Sequence, residues 1–421
     1  MRIAIIGSGG REHALAYQLS KSNKITKIYC IPGNAGTENI SININLNLDN
    51  FKNLYDYLNK ENIELVIVGP EKPLVDGIVD FLESKGIKVF GPRKNLAKLE
   101  GSKIFTKKIC EKFKIPTANF KICNSKESAF KFLYSTKFPL VIKADVLAAG
   151  KGVYICNMIS EAKNAISEIF DGKFGKAEQI LIEEFLDGEE MSFFIISDGE
   201  NYKTFNTAQD HKRVGEGDKG KNTGGMGAYS PSSLINIDLE NKILKNIIDP
   251  TLRAIKEMGD SYVGFLYAGL MIKNNEPYLI EYNVRMGDPE CQTILPLIDN
   301  DFFEIINACC NSKLAEQDIK WKNKKSMCIV LCSKGYPDKY NKNIEIKNLR
   351  ELKSSENNFI FHAGTESSGN KILATGGRVI NFVNISDSFS SSRKEIIKQI
   401  NNLNWQEGFY RKDIGHKVID G

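Results

Sequence analysis

The chain has 421 residues, enough for two to four domains that each bury a hydrophobic core of their own. Its net charge of +5, from 57 basic and 52 acidic residues, is too small and too evenly mixed to indicate a nucleic-acid or membrane partner. Nine cysteines without a C-x-x-C pair argue against a zinc site or a disulfide framework and predict reduced thiols.

The first hundred residues alternate short apolar strands with helices. The strands are RIAIIG, KIYCI, ELVIVG and IKVFG, and helices are predicted from about Arg11 and Leu74. This order predicts an open parallel sheet with helices on its faces, so residues 1–100 are expected to form an α/β domain. The apolar run Ile3 to Ile6 is too short for a signal peptide, and no later run is long enough to cross a bilayer. We therefore expect a cytoplasmic protein.

The glycines after the first strand do not form a dinucleotide fingerprint. Glu12 stands where G-x-G-x-x-G requires its third glycine, and Pro32 follows the second strand in place of an acidic residue, so a dehydrogenase is not expected. The segments SGGREH and PGNAGT instead suit a phosphate at a helix N-terminus, although tight turns alone would also explain their glycines. The candidate substrate-binding residues at this edge of the sheet are Gly9, Gly10, Asn34, Ala35, Gly36 and, in the turn after the third strand, Glu71.

The segment KADVLAAGKG, residues 143–152, has features of a triphosphate site. Lys143 ends an apolar strand, and the loop Ala148 to Gly152 carries a second lysine among small residues. Glycines let backbone N–H groups approach phosphate oxygens while lysines supply positive charge, but a solvated turn is the alternative. Because the chain has no G-x-x-x-x-G-K-[ST] sequence, we predict a clamp between two sheets, with Lys103 on a preceding helix.

The next apolar strand, Ile180 to Leu186, is expected to present backbone groups to an adenine ring. Glu190 follows the Asp187-Gly188 turn and is expected either to reach the ribose hydroxyls or to be an ordinary surface charge. The candidate ATP-binding residues are Lys103, Lys143, Gly150, Lys151, Gly152, Glu183, Glu184, Phe185, Leu186 and Glu190.

The segment Gln209 to Pro231 is long, polar and rich in glycine. Such a segment in a compact domain predicts an active-site lid or a disordered excursion. Asp210, Lys212 and Arg213 are candidate catalytic residues that would orient a polar substrate. His211 is open between a general base and a surface histidine, and an orienting role is preferred for the whole group.

The segments VGFLYAGLMIK and PYLIEYNVRM, joined by Asn274 and Asn275, predict a hairpin. On its second strand Glu281, Asn283 and Arg285 alternate with apolar residues and share one face. A carboxylate and an amide oxygen two residues apart can both bind Mg²⁺, and Arg285 can neutralise a transferring phosphoryl group. A half-buried strand with a solvated polar face is the alternative. The sequence GDPE, which follows directly, adds Asp288 as a candidate substrate-binding residue.

The lysine-rich stretch around Trp321 is expected to be a solvated linker rather than a nucleic-acid contact. Beyond it, strands such as MCIVLC and ILATGGRVINFV and a helix from about Ser386 predict a smaller α+β domain. The expected domains are 1–100, 101–325 with a mobile lid subdomain at about 120–187, and 326–421. The predicted fold class is thus a multidomain combination of α/β and α+β units.

Several of these segments together resemble the phosphoribosylamine–glycine ligase family of the ATP-grasp superfamily, almost from end to end. The lysines and the clamp mark the superfamily, whereas QDHKR, NTGGMGAYSP and GDPE are far more specific to this family. The segments that carry the resemblance are GSGGREHAL, PGNAGT, VGPEKPLVDGIVD, LEGSKIFTK, IKADVLAAGKGV, IEEFLDGEEMSF, QDHKRVGEGDKGKNTGGMGAYSP and IEYNVRMGDPE.

The resemblance implies a two-sheet ATP-grasp clamp and a reaction of purine synthesis. ATP would phosphorylate the glycine carboxylate, and the amine of 5-phosphoribosylamine would attack the glycyl phosphate to form glycinamide ribonucleotide. By motif, Glu281 and Asn283 correspond to ligands of Mg²⁺ or Mn²⁺. Lys103, Lys143, residues 183–186 and Glu190 correspond to the ATP site, and the N-terminal glycine loops to a ribose-phosphate site. A monomer is expected.

Two departures from the family pattern are Val146, where glycine is usual, and Met286, where phenylalanine is common. The strand Val263 to Lys273 has no acidic residue to serve as an additional metal ligand. Two other functions stay open at this point. One is another ATP-grasp ligase or carboxylase acting on a different acid, and the other is a nucleotide-binding scaffold without catalysis.

Overall fold

The computed structural model describes residues 1–147, 152–175 and 177–419. It begins with a five-stranded parallel sheet in the order β3-β2-β1-β4-β5. Its first strand is buried from Ile3 to Gly7, as expected for a parallel sheet that helices cover on both faces. The strands are β1 Arg2–Gly7, β2 Lys27–Pro32, β3 Ile42–Asn43, β4 Leu65–Val68 and β5 Lys88–Phe90. The sheet predicted from the apolar runs is therefore confirmed.

Six helices accompany this sheet and lead out of it. They are α1 Gly10–Leu19, α2 Phe51–Lys60, α3 Glu71–Asp76, α4 Ile78–Glu83, α5 Lys94–Gly101 and α6 Lys103–Phe113. Glu71 is the first residue of α3 rather than part of a turn, so the prediction that this helix begins near Leu74 is wrong by about one turn. Ser102 caps α6 by accepting a hydrogen bond from the Phe105 amide, which places Lys103 in the first turn.

A four-stranded antiparallel sheet in the order β6-β9-β7-β8 follows, covered by two helices. Within the described residues, its apolar side chains form a core cluster of their own between Cys123 and Ile182. Its elements are β6 Phe120–Cys123, α7 Lys126–Leu133, β7 Leu140–Ala144, β8 Val153–Cys156, α8 Ile159–Phe170 and β9 Ile180–Glu184. A segment with a separate core can move as a unit. The lid expected in this part of the chain stays a prediction.

The largest sheet crosses the middle of the chain in the order β16-β15-β10-β11-β14-β17-β22-β19. The predicted hairpin is confirmed as β15 and β16, with Asn274 and Asn275 at positive φ in the turn. The elements up to residue 309 are β10 Glu189–Asp198, β11 Tyr202–Asp210, β12 Arg213–Gly215, β13 Lys219–Asn222, β14 Gly227–Ser230, α9 Ile237–Ile243, a π-helical turn Leu244–Ile248, α10 Asp249–Glu257, β15 Val263–Lys273, β16 Glu276–Asn283, α11 Glu290–Ile294 and α12 Phe302–Cys309.

The polar segment Gln209 to Pro231 is not the long irregular loop that its composition predicted. It contains the end of β11, the hairpin β12–β13 and the strand β14. Gln209 and Asp210 pair with β14, and β14 pairs in turn with β17. The error arose because glycine and charge were taken as signs of a loop, whereas backbone pairing with two neighbouring strands decides the local structure.

The last part of the chain continues the large sheet instead of starting a separate one. The pairing of β14 with β17 carries the sheet across the lysine-rich stretch near Lys320. A small sheet of β18, β21 and β20 packs beside it. The elements are β17 Lys325–Ser333, β18 Ile344–Glu345, β19 Asn358–His362, β20 Thr365–Ser368, β21 Lys371–Ala374, β22 Arg378–Ser386, α13 Phe389–Leu403, β23 Gly408–Phe409 and α14 His416–Ile419.

No helix in the described part of the chain is long and apolar enough to cross a membrane. All nine cysteines are free thiols, and burial raises the pKa of several of them, Cys332 to about 12. The prediction that the thiols are largely buried is therefore confirmed.

Candidate active site

A cavity of about 930 Å³ lies where the carboxyl ends of the N-terminal strands, the four-stranded sheet and the large sheet meet. Its volume is at the upper end of the range for small-molecule sites. Most of the residues predicted from the sequence line it. These are Gly9, Glu71, Lys103, Lys143, Gly152, Glu183, Glu184, Phe185, Leu186, Glu190, Asp210, Lys212, Arg213, Glu281, Asn283, Arg285 and Asp288.

Four of the predicted substrate-binding residues are not among those that line the cavity. They are Gly10, Asn34, Ala35 and Gly36. The predicted ATP-binding residues Gly150 and Lys151 lie outside the described residues.

One wall of the cavity carries two buried lysines that share one glutamate. Lys143 Nζ lies 2.9 Å from Glu183 Oε2, and Lys107 Nζ lies 3.1 Å from Glu183 Oε1. Burial lowers the pKa of Lys107, and the neighbouring Lys143 lowers it further, although Glu183 opposes this shift. Because one carboxylate balances two ammonium groups, this wall retains a positive charge that suits phosphate. Lys107 was not among the site residues predicted from the sequence. Its position one helical turn after Lys103 is the signal that could have identified it.

Lys103 lies on the same wall. Its Nζ donates to the carbonyl oxygen of Val146 at 3.4 Å, just before the residues of the clamp loop that are not described. The side chain of Glu184 points away from Glu183 and accepts hydrogen bonds from Asn119, at 2.8 Å from the backbone N and 2.9 Å from Nδ2. Of these two adjacent glutamates, only Glu183 therefore contacts the lysines.

Glu281 and Asn283 project into the cavity from the end of β16. The register of β16 against β15 shifts between Gly269 and Leu270, which are opposite Glu281 and Leu279. This bulge turns the end of the strand, and the strand ends at Asn283 rather than at Met286 as predicted. Glu281 and Asn283 are two residues apart beyond the bulge, so they share a face as expected.

Four cationic side chains surround the carboxylate of Glu281. Burial alone would raise its pKa, but the positive charges lower it below the usual value. The groups responsible, in order of effect, are Lys212, Lys143, Lys103 and Arg285. Glu281 is therefore an anion at neutral pH, in surroundings with more positive than negative charge.

Arg285 is the centre of a half-buried ion cluster. Its Nη2 lies 2.6 Å from Glu100 Oε1, and its Nε lies 3.2 Å from Glu71 Oε2. Burial would raise the pKa of Glu71, but Arg285 and then Arg11 lower it. The arginine predicted to neutralise a phosphoryl group thus faces the cavity with two carboxylates beside it. The other carboxylate oxygen of Glu100, Oε2, accepts a hydrogen bond from the Val284 amide at 2.8 Å.

Asp210 and Lys212 line the side of the cavity formed by β11. Lys212 Nζ lies 2.5 Å from Glu190 Oε2. The Oδ1 atom of Asp210 is buried and has no hydrogen-bond partner within the described residues. Burial and the nearby Glu290 raise the pKa of Asp210 well above its usual value. An unsatisfied buried carboxylate is costly, so this oxygen is available to a cationic or hydrogen-bonding substrate group.

His211 is neither the general base nor the surface histidine that the sequence left open. It is 3% exposed, and its Nε2 accepts a hydrogen bond from the Gly415 amide at 3.1 Å. Burial, followed by the charge of Arg411, lowers its pKa to about 4. A ring held neutral by a backbone donor is not a surface histidine, and it does not line the cavity where a general base would be needed.

The first glycine loop is filled by a side chain of the protein itself. Gly9 N donates to Glu12 Oε2 at 2.6 Å, and Arg11 Nε donates to Glu12 Oε1 at 2.6 Å. A Cβ atom on Gly69 would lie 2.0 Å from the same carboxylate, so the small residue makes room for Glu12. The amide of Gly9, which was expected to bind phosphate, already has an anionic partner.

The second glycine loop packs against the C-terminal part of the chain. Asn34 Nδ2 donates to the carbonyl oxygens of Ser8 at 2.8 Å and His362 at 2.9 Å, while its Oδ1 accepts the amide of Gly36 at 2.9 Å. A Cβ atom on Gly36 would lie 2.2 Å from the ring of His13. The short residues of this loop therefore allow a close contact between distant segments.

Arg378 enters the cavity from β22 and was not predicted. It is paired with Asp288 Oδ1 at 3.2 Å and donates to the carbonyl oxygens of Gly224 and Asp288. Sequence reasoning missed it because a single arginine on a strand 90 residues after GDPE carries no local motif. The cavity is thus completed by a residue from the C-terminal part of the chain.

Two side chains in the cavity offer oxygen ligands that fit a divalent cation. Within the described residues, no group of three or more histidine, cysteine, aspartate or glutamate side chains is placed to hold a metal. One carboxylate and one amide oxygen, from Glu281 and Asn283, form the small protein ligand set that Mg²⁺ usually has when nucleotide phosphates complete its coordination. The surrounding lysines would repel a bare cation but attract one that is bound to a polyphosphate.

The comparisons with known proteins agree over the whole chain. Models of the phosphoribosylglycinamide synthetase family match its N domain at residues 1–100, its ATP-grasp (A) domain at 101–291 and its C domain at 326–417. A phosphoribosylamine–glycine ligase of Brucella melitensis is 41% identical over 421 residues, which cover 100% of this chain and 99% of the relative. One of Caldanaerobacter subterraneus is 44% identical over 416 residues, covering 98% and 99%.

Solved structures give the same result. The crystal structure of phosphoribosylamine–glycine ligase from Thermotoga maritima matches with a TM-score of 0.85 and 32% identity, over 98% of this chain and 100% of that one. The biotin carboxylase domain of a 2-oxoglutarate carboxylase from Hydrogenobacter thermophilus has a TM-score of 0.71 at 17% identity, over 95% and 89%, and shows a shared fold alone. The chain belongs to the phosphoribosylglycinamide synthetase family of ATP-grasp ligases.

Proposed function

We propose that the protein joins glycine to 5-phosphoribosylamine through a glycyl phosphate, giving glycinamide ribonucleotide, ADP and phosphate. The observation that carries this proposal is the half-buried carboxylate of Glu281, which faces three lysines and an arginine in one cavity. Such a site can hold a triphosphate and stabilise the charge of a phosphoryl group during transfer. The family supplies the identity of the two substrates.

The nucleotide would lie between the four-stranded sheet and β16. We assign Lys103 and Lys143 to its phosphates, the backbone of Glu184 to Leu186 to the adenine and Glu190 to the ribose. Lys107 supports this assignment because it shares Glu183 with Lys143 and so leaves the wall positively charged. Gly152 lines the same cavity, and Gly150 and Lys151 are assigned to the phosphates on the sequence pattern alone.

The metal ion would be held by Glu281 and Asn283. When bound, Mg²⁺ or Mn²⁺ would neutralise the phosphates and act as a Lewis acid. Glu281 is kept ionised by the cations around it, which is the protonation state that a metal ligand requires.

The acceptor substrates would lie on the other side of the cavity, toward Asp288 and the N-terminal strands. We assign Asp210, Lys212, Arg213 and Arg285 to the reacting groups, where they would orient glycine and balance charge. Gly9, Glu71 and Asp288 support a substrate role by lining the cavity, and Arg378 joins them. Gly10, Asn34, Ala35 and Gly36 would act indirectly by shaping the loops behind this surface. No protein nucleophile is required, because phosphorylation activates the glycine carboxylate and the enzyme supplies proximity.

We also propose that the chain works as a cytoplasmic monomer with three functional units, 1–100, 101–325 and 326–421, in which residues of about 120–187 close over the nucleotide. The separate hydrophobic core of this lid supports the last point.

The test is direct detection of product by mass spectrometry. The purified protein is incubated with ATP, Mg²⁺, glycine and freshly generated 5-phosphoribosylamine, and glycinamide ribonucleotide and ADP are expected in equal amounts. Matched reactions omit one substrate or replace glycine with bicarbonate. Formation of ADP with bicarbonate, in the absence of glycine, would show a carboxylase-type activity and reject the proposal. Binding of ATP without any product would indicate a scaffold without catalysis.

A further inference from the structure

The hairpin β12–β13, residues 213–222, lies under the C-terminal strap, which we define as Arg411–Ile419. Arg411 Nη1 donates to the carbonyl oxygen of Arg213 at 3.0 Å and to Asp218 Oδ1 at 2.8 Å. In return, the amide of Gly217 donates to Asp413 Oδ2 at 2.8 Å. The strap therefore holds the hairpin at its first strand and at its turn.

Arg411 is the buried centre of this contact. Its side chain is 1% exposed, and besides the hairpin contacts it donates from Nε and Nη2 to the two oxygens of Asp413, at 2.8 and 2.7 Å. A planar guanidinium can serve a bidentate carboxylate, a second carboxylate and a carbonyl at once, whereas a lysine ammonium cannot. A buried charge with this many partners fixes the geometry of the groups around it.

The strap also contacts a residue next to those that line the cavity, and one of its own residues lines the cavity. Gly415 donates its amide to His211, which precedes Lys212 and Arg213 in the chain. Gly415 has φ of +80°, and a Cβ atom there would lie 2.4 Å from Met327, so the chain is closely fitted at this point. Lys417 itself lines the cavity, and its Nζ lies 3.7 Å from Glu189 Oε2.

We propose that the C-terminal strap is a positioning element of the active site, in which Arg411 holds the β12–β13 hairpin so that Arg213 stays at the cavity wall. This inference rests on the proposed function, since it assumes that Arg213 acts on a substrate. It assigns a role in catalysis to residues about 200 positions away in the sequence that carry no motif of their own.

Arg411→Met is the main test, with kcat and each KM measured well below the melting temperature. We expect kcat to fall about tenfold, while the KM for ATP changes less than about twofold, because the lysine wall is untouched. Arg411→Lys is expected to restore part of kcat, and Asp413→Asn, which loses charge but keeps its shape, to show a smaller loss of the same kind.

A destabilised variant in the same part of the chain separates positioning from stability. Ile396→Val removes one methylene from a fully buried residue of α13 and should lower the melting temperature without changing kcat. A wild-type kcat in folded Arg411→Met would overturn the inference while leaving the proposed function intact. If Arg411→Met does not fold, a wild-type kcat in Asp413→Asn overturns it. Failure of the wild-type protein to form product would instead reject the proposed function.

Discussion

The first glycine loop and the lysine wall both line the cavity, but they differ in how their polar groups are satisfied. In the glycine loop, the amide of Gly9 and the guanidinium of Arg11 are already bound to Glu12. On the lysine wall, Lys107 and Lys143 share a single carboxylate, that of Glu183. The loop is therefore balanced without a ligand, and the wall is not. Unbalanced buried charge is thus a better indicator of a phosphate site than glycine content.

The largest effect is expected from a substitution at Glu281, which faces the lysine wall. Glu281→Ala should abolish measurable turnover while the protein stays folded. The metal ion would lose its carboxylate ligand, and the phosphates would lose the cation that neutralises them. Steady-state kinetics and circular dichroism check this. Glu276→Ala, at the exposed start of the same strand, is the matched control and should keep full activity. Undiminished turnover in Glu281→Ala would remove it as an essential ligand.

Lys143→Met should weaken ATP binding rather than abolish the reaction. Loss of one ammonium leaves Glu183 balanced by Lys107 alone, so we expect the KM for ATP to rise about tenfold or more at unchanged fold. Isothermal titration with ATP gives the same comparison without turnover. Lys121→Met, exposed on the same sheet, should bind ATP as the wild type does. Equal affinities of the two variants would show that the wall does not contact phosphate.

Glu12→Gln tests the other side of the comparison. It removes the charge that satisfies Gly9 and Arg11, so we expect a loss of about 1.5–3 kcal/mol in the free energy of unfolding with little change in the KM for ATP. Urea denaturation measures the first quantity. A large rise in the KM for ATP at unchanged stability would mean that the loop, and not the wall, binds the triphosphate.

The smallest expected effect is on the pH dependence of stability, and it concerns His362 behind the second glycine loop. Burial, followed by the charge of Arg350, lowers the pKa of His362 to about 4. The unfolded chain therefore binds more protons below about pH 6.5, and stability should fall as the pH drops from about 6.5 toward 4. The loss from this residue is up to about 2 kcal/mol at pH 5. Melting curves at pH 7.5 and 5 should differ less for His362→Gln than for the wild type. An unchanged difference would show that His362 does not contribute.

Much of the fold could be predicted because its elements have strong local signals. The buried runs of β1, β2 and β4 predicted the parallel sheet, and alternation around Asn274 and Asn275 predicted the hairpin that carries Glu281. The segment Gln209 to Pro231 could not be predicted, since its strand β14 lies between β11 and β17, and β17 is about a hundred residues away in the sequence. Local composition contains no information about that pairing.

The same distinction applies to the candidate site. Glu281, Asn283 and Lys143 were predicted because strand ends and alternation place them. Lys107, Glu100 and Arg378 were not, because their roles depend on partners that only the tertiary structure brings close. Asn34 was predicted as a substrate ligand from its loop, yet its side chain is fully used in contacts with Ser8, Gly36 and His362.

The continuous ladder from β14 into β17 has a consequence for how the polypeptide can be divided. A fragment beginning near Lys325 would expose the edge of β17 from Ser326 to Ile329 that β14 covers, including its apolar residues. Open edges of this kind promote aggregation. Two fragments divided at this junction should therefore be insoluble when produced separately, and co-production of both should be needed to recover material in solution.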